Sequence, residues 1–271
     1  MEQNCKNLIE AVKQDDIICV VRLLKKGNNP NVRDELGKTP LHYAVLQDPI
    51  MVETLLKHGA DPDVADDSGA TPLHVASMFG LYDIVKLLLS YGRINVNVQD
   101  EGGHTPLHEA ATGCRSKVAW LLLINGANPN ARDNIGRTPL HCAVFLKPCV
   151  DVVKMLLEAG VDPNVRDVYG RTPLHMAALH GDARLTALLL RRGADPNVRD
   201  DSGQTPLHNA VMRKRVEAIK VLLQYGADLT IPDNKGKTPL DLARERGIAE
   251  VIARAASAGR ELMQYIRTNK R

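Results

Sequence analysis

Thr205-Pro206-Leu207-His208-Asn209-Ala210 is one of seven copies of a short phrase, and the distance between copies decides the fold. The phrase or a close variant begins at Thr39, Thr71, Thr105, Thr138, Thr172, Thr205 and Thr238, at spacings of 32, 34, 33, 34, 33 and 33 residues. A period that constant over most of a 271-residue chain marks a repeat architecture and overrides the two-domain prior that length alone would set.

Aligned on the threonine, the copies show what the architecture demands. An aspartate stands five residues before it every time (Asp34, Asp66, Asp100, Asp133, Asp167, Asp200, Asp233), and a glycine two before it (Gly37, Gly69, Gly103, Gly136, Gly170, Gly203, Gly236). Aspartate accepts hydrogen bonds from its own downstream backbone and glycine enters positive φ without strain, so the pair predicts a tight turn. Thr-Pro then predicts a helix start: the hydroxyl can cap free N–H groups, and proline at the first helical position forfeits no hydrogen bond. The leucine and, three residues on, the alanine (Leu41 and Ala44 through Leu240 and Ala243) fall on one face, and the small residue admits a close neighbour. A second apolar-periodic segment, as in Ile84-Val85-Lys86-Leu87-Leu88-Leu89, ends at a glycine suited to a helix C-terminus (Gly59, Gly92, Gly126, Gly160, Gly193, Gly226). An extended stretch, as at Asp195 to Val198, leads to the next aspartate. Each unit therefore reads turn, helix, turn, helix.

These copies resemble ankyrin repeats, whose period and T-P-L-H-x-A phrase they carry from about Leu8 to about Ala256. The resemblance implies an all-α ankyrin-repeat solenoid of stacked antiparallel helix pairs, with β-hairpin-like loops and a concave binding face. It divides residues 1–256 into an N-terminal cap (1–33), six internal repeats (34–65, 66–99, 100–132, 133–166, 167–199 and 200–232) and a C-terminal cap (233–256), eight units in all. The first unit lacks Thr-Pro but keeps the Leu8 and Ala11 spacing, with Glu10, Lys13 and Gln14 outside; the last replaces histidine by Asp241. Residues 257–271 form a basic C-terminal helix or tail, which either docks through Leu262, Met263 and Ile266 or stays a detachable arm.

Composition narrows the partners. Hydrophobic residues are 44% and charged residues 25%, but aromatics only 3%, so burial falls to Leu, Val, Ile and Ala. A net charge of +3 makes nucleic acid an unexpected partner and a membrane surface equally so, although Asn234 to Arg271 holds nine Lys and Arg against four Asp and Glu. The longest apolar run, Val118 to Ile124, is far short of a membrane span, and the N-terminus from Met1 to Asn4 opens no signal peptide. Five cysteines without a paired spacing read as reduced thiols in a monomeric intracellular protein, cytoplasmic, nuclear or delivered into a host cell.

No catalytic residue, metal site, cofactor site or small-molecule substrate emerges. Six of the nine histidines (His42, His74, His108, His141, His175, His208) hold the same place in six copies, and packed helices sit about 8–10 Å apart, too far to share an ion bound at about 2 Å. They read as structural, and the resemblance implies that they bridge hydrogen bonds within and between repeats. His58, His104 and His180 are scattered, with no carboxylate partner or nucleophile recurring at a useful spacing, and Cys142 and Cys149 lack the rest of a zinc spacing. Phosphate-loop and calcium-loop patterns are missing too. Asn31, Asn130, Asn164 and Asn197 hold a position that is hydroxylated in some family members and read here as turn residues.

Function is then expected where the copies differ. The family implies contact through turn tips and through two positions after the Leu-x-x-Ala-x run. Those positions hold Leu46 and Gln47, Met78 and Phe79, Thr112 and Gly113, Phe145 and Leu146, Leu179 and His180, Met212 and Arg213, and Glu245 and Arg246, among which are both phenylalanines of the chain. Apolar anchors on a solvent-facing surface mark interaction sites. Tips add Ile135 and Tyr169, with Arg137 and Arg171 beside them. The expectation is a non-catalytic adaptor binding a protein with an apolar stripe and an acidic flank. The alternatives are a host-directed effector or nucleic-acid association through the basic C-terminal end.

Overall fold

The structure, a computed structural model, describes residues 5, 7–92, 94–145, 149–255 and 257, and all regular structure among them is helical. Contacts cluster into two compact units, residues 1–134 and 135–271. The first holds four helix pairs: α1 (Leu8–Lys13) with α2 (Ile17–Lys25), α3 (Pro40–Ala44) with α4 (Pro49–Lys57), α5 (Pro72–Phe79) with α6 (Tyr82–Ser90), and α7 (Pro106–Thr112) with α8 (Ser116–Ile124). The second holds α9 (Pro139–Phe145) with α10 (Val150–Glu158), α11 (Pro173–His180) with α12 (Ala183–Arg191), α13 (Pro206–Met212) with α14 (Val216–Gln224), and α15 (Pro239–Glu245) followed by helical residues 249–255.

The repeated residues build each pair in the same way. In the first turn Asp34 Oδ1 accepts the N–H groups of Leu36 (3.0 Å) and Lys38 (2.9 Å), which folds the backbone back before the helix. Successive turns are joined by one backbone bond each: Asp67 N–H to Leu36 O (3.1 Å) and Glu101 to Ser68 (2.9 Å) in the first unit, Asp201 to Tyr169 (3.1 Å) and Asn234 to Ser202 (3.0 Å) in the second. One bond per step makes no ladder, so the loops are hairpin-like without being strands.

The helix start keeps the expected threonine cap and adds histidine to it, as a capping box in which the Thr39 side chain takes the His42 N–H and the His42 side chain takes the Thr39 N–H. The hydroxyl of Thr39 bonds His42 Nδ1 (2.9 Å), and the Thr39 N–H donates to the same nitrogen (3.0 Å). Nδ1 is therefore an acceptor, which leaves the ring proton on Nε2 to donate to Ala70 O (2.9 Å) in the following unit. The same arrangement joins His74 to His104 O, His141 to Arg171 O, His175 to Gln204 O and His208 to Lys237 O, at 3.0 to 3.1 Å. In α15 Asp241 accepts from Thr238 N–H (3.1 Å) and hydroxyl (2.6 Å). A carboxylate caps its own helix but has no proton to send onward, which suits the last repeat.

Asparagine supplies a second stitch. Asn164 donates its amide to Gly193 O (3.0 Å) and accepts the Asp195 N–H (2.7 Å); Asn31, Asn97 and Asn197 do the same one repeat onward. An amide is both donor and acceptor, so aspartate cannot replace it fully: Asp63, at the equivalent place, only accepts from Asn95.

The core is the row of frame leucines and alanines, with Leu107, Leu140, Leu174 and Leu207 fully buried against their alanine partners. Leu240 departs from this and is only half-buried. The reading of uniformly reduced thiols also needs correction. Cys5 and Cys19 are disulfide-bonded with Cα atoms 5.8 Å apart, because the turn between α1 and α2 doubles the chain back over a separation of 14 residues. Cys142 is buried. No helix among the described residues is long and apolar enough to cross a membrane.

Candidate functional site

Met78 and Phe79 close α5, where the next residue, Gly80, turns left-handed at φ +75. Both side chains are open to solvent, at 42% and 48% exposure, whereas Ala76 and Ser77 before them are buried. Arg115 from the following repeat lies across this helix end and donates its Nε to Met78 O (3.0 Å). A Cβ on Gly80 would meet Arg115 Cδ at 2.6 Å, so glycine is required there both for its φ and for the arginine. The two exposed side chains thus project from a helix end that is fixed on both sides.

In the second unit the same device recurs at α11. Gly181 turns left-handed at φ +84 and Arg215 Nε donates to Leu179 O (3.2 Å). Leu179 is half-buried and His180 exposed. His180 meets Phe145, from the end of α9, edge to face with ring centroids 5.8 Å apart. The guanidinium of Arg137 lies 5.8 Å from the Phe145 centroid, so one ring with 36% exposure contacts both an imidazole and a cation. Burial first, then the charges of Arg215 and Arg213, hold the His180 imidazole below its usual range, so it meets the phenylalanine as a neutral ring at neutral pH. Arg213 is exposed. Met212 is half-buried, with its sulfur 3.9 Å from the Gln204 amide. Leu146 lies outside the described residues.

The turn tips divide by role. Tyr169 and its neighbour Val168 are exposed, while Ile135 is half-buried. Arg171 is committed to its own turn, bonding Asp167 Oδ2 through Nε (2.8 Å) and its terminal nitrogen (2.7 Å) while stacking 4.7 Å from the Tyr169 centroid. Its contribution at the tip is to hold Tyr169 outward.

Sequence reading missed three features. The arginine clamp has a signal, since Arg115 and Arg215 each stand ten residues after their threonine, behind copies whose first helices end in Gly80 and Gly181. Trp120, the only tryptophan, and Ile124 are both exposed on α8. His104 does have carboxylate partners: its Nδ1 lies 3.6 Å from Asp100 Oδ2 and 3.5 Å from Glu109 Oε1, and its Nε2 lies 3.4 Å from Asp133 Oδ2. They come from the turn before it, the helix after it and the next turn, a proximity that linear spacing does not display.

With this geometry in place, comparison with known proteins is direct. The family model described as Ankyrin repeats (3 copies) matches residues 8–100, 45–133, 92–167, 118–200 and 174–261 in overlapping registers. No curated protein gives a significant match to the chain.

Proposed function

Because the chain belongs to the ankyrin repeat family, whose repeats are in general protein-interaction modules, we propose that it is a non-catalytic adaptor that binds a protein through its first-helix ends and turn tips. The observation that carries this reading is Phe145. A family core made of leucine and alanine has no need of an aromatic ring at this place, yet the ring is held between His180 and Arg137 and remains open to solvent. Exposed aromatic and methionine side chains on a rigid support supply binding energy out of proportion to their number, because little conformational freedom is lost on contact. Met78 and Phe79 offer the same chemistry in the first unit. Arg213 and Arg215 are exposed close to the His180 helix end, so the matching partner surface carries acidic groups beside an apolar strip.

The test is Phe79→Arg combined with Phe145→Arg. Circular dichroism and thermal melting are expected to match the wild type, while affinity capture from the native host loses the partner that the wild type retains. Unfolding of the double variant would make these rings core residues, and undiminished capture would move the contact surface elsewhere.

A further inference from the structure

We propose that Asp100, His104 and Glu109 form a binding site for one divalent transition-metal ion. Relative to Thr105 they stand at the fifth residue before, the residue before and the fourth after. The first is the aspartate of every copy, but the other two positions vary, and in two other copies one of them gives that aspartate a positive charge or a hydroxyl. Arg171 occupies the one position and bonds Asp167 Oδ2 (2.7 Å), and Tyr43 occupies the other and donates its hydroxyl to Asp34 Oδ2. In the 100–132 repeat they supply an imidazole and a second carboxylate instead.

Asp100 divides its oxygens between frame and site. Oδ1 accepts the His104 N–H (2.8 Å) to close the turn, which leaves Oδ2 facing the ring. The donor atoms of Asp100, His104 and Glu109 all lie within 4.8 Å of one another, and the two measured from Nδ1 are 3.6 Å and 3.5 Å. An ion with bonds of about 2.0–2.2 Å to nitrogen and oxygen places neighbouring tetrahedral donors about 3.3–3.6 Å apart. The cluster is therefore close to metal-ready spacing.

The other face of the ring points the same way. His104 Nε2 lies 3.4 Å from Asp133 Oδ2, whose side chain is 1% exposed. A ring that gives its Nε2 proton to this buried carboxylate turns the Nδ1 lone pair toward Asp100 and Glu109, where it meets two more negative groups unless a cation lies between. A carboxylate that orients a histidine whose second nitrogen binds metal is the usual outer support of such sites. Exposures of 29% for His104, 17% for Asp100 and 19% for Glu109 leave a path from solvent and room for a water ligand. One imidazole and two carboxylates suit Zn2+ or Co2+ better than Ca2+, which prefers oxygen alone.

The experiment uses the full chain, stripped with chelator and titrated with Co2+. A visible ligand-field band that saturates at one equivalent and is displaced by Zn2+ is expected. Glu109→Gln and His104→Gln should each abolish it, and His58→Gln should leave it intact. Absence of a saturable band overturns the site, as does a band that survives both substitutions. If either variant fails to fold, the wild type decides through the nitrogen resonances of its His104 ring. A Zn2+-induced shift confined to Nδ1 supports coordination; a ring that keeps protons on both nitrogens in the presence of Zn2+ is an imidazolium caged by carboxylates and overturns it.

Discussion

Nδ1 of His175 accepts from the Thr172 N–H (3.1 Å) and meets its hydroxyl (2.9 Å), while Nε2 donates to Gln204 O (3.0 Å), so a second ring proton breaks the helix cap. His42, His74, His175 and His208 are all held below their ordinary range, with burial the largest cause. The unfolded chain then takes up protons near pH 6.5 while the folded chain still refuses them. Stability is accordingly full above about pH 6.5 and falls as pH drops toward the folded values, by up to about 1.4 kcal/mol per pH unit for each histidine. Urea midpoints measured from about pH 7.5 to about pH 5.5 should fall steeply, and His175→Gln should start about 1–3 kcal/mol lower with a shallower slope. A flat profile would show that the imidazoles are not neutral acceptors. Recurrence alone identified these histidines as structural, because a residue repeated with the period serves the period. Where Nε2 sends its proton was not legible, since the acceptor is a carbonyl 29 residues away. His104 was misjudged for the same reason.

Helix starts were easier to read than helix ends. Thr-Pro announces a start locally, whereas the end depends on the ninth residue after the threonine. That residue is left-handed in Gly80, Gly181 and Gly247, and the same backbone is imposed on Asp15, Cys114 and Lys214 at φ 54 to 57. A side chain in this region costs about 1–2 kcal/mol, whereas glycine costs about 0.5–1 kcal/mol in lost chain freedom. Lys214 is exposed, so Lys214→Gly is expected to stabilise the protein by about 0.5–1 kcal/mol in urea unfolding. A loss of stability would mean that the α13 end is not left-handed. The positions just before this turn, exposed at Met78, Phe79 and His180 and half-buried at Leu179, were found by alignment of the copies. The arginines that fix them were overlooked because each acts on the preceding repeat rather than its own.

At the scale of the molecule, repeats within each unit are stitched to their successors: histidine reaches the next turn, as from His74 and His175, asparagine the next loop, as from Asn31 and Asn164, and the following turn donates one backbone bond, as from Glu101 and Asp201. The architecture was legible because this dependence forces the same residues to recur. The partner was not, since the side chains that vary between copies, Phe79 and Phe145 among them, are ones the frame leaves unconstrained. Nearest-neighbour construction also sets how damage spreads. Leu140 is fully buried in α9, which packs on α10 and α11. Leu140→Ala removes three buried carbons from a site that its neighbours cannot close completely, so the cost should be about 2–5 kcal/mol. Because α11 loses part of its support while α15 packs on α13, amide exchange should rise first in α9, α10 and α11 and least in α15. Hydrogen exchange with mass spectrometry resolves the order. A loss below about 0.5 kcal/mol would place Leu140 outside the core, and uniform acceleration across residues 135–271 would show that this unit opens in a single step rather than repeat by repeat.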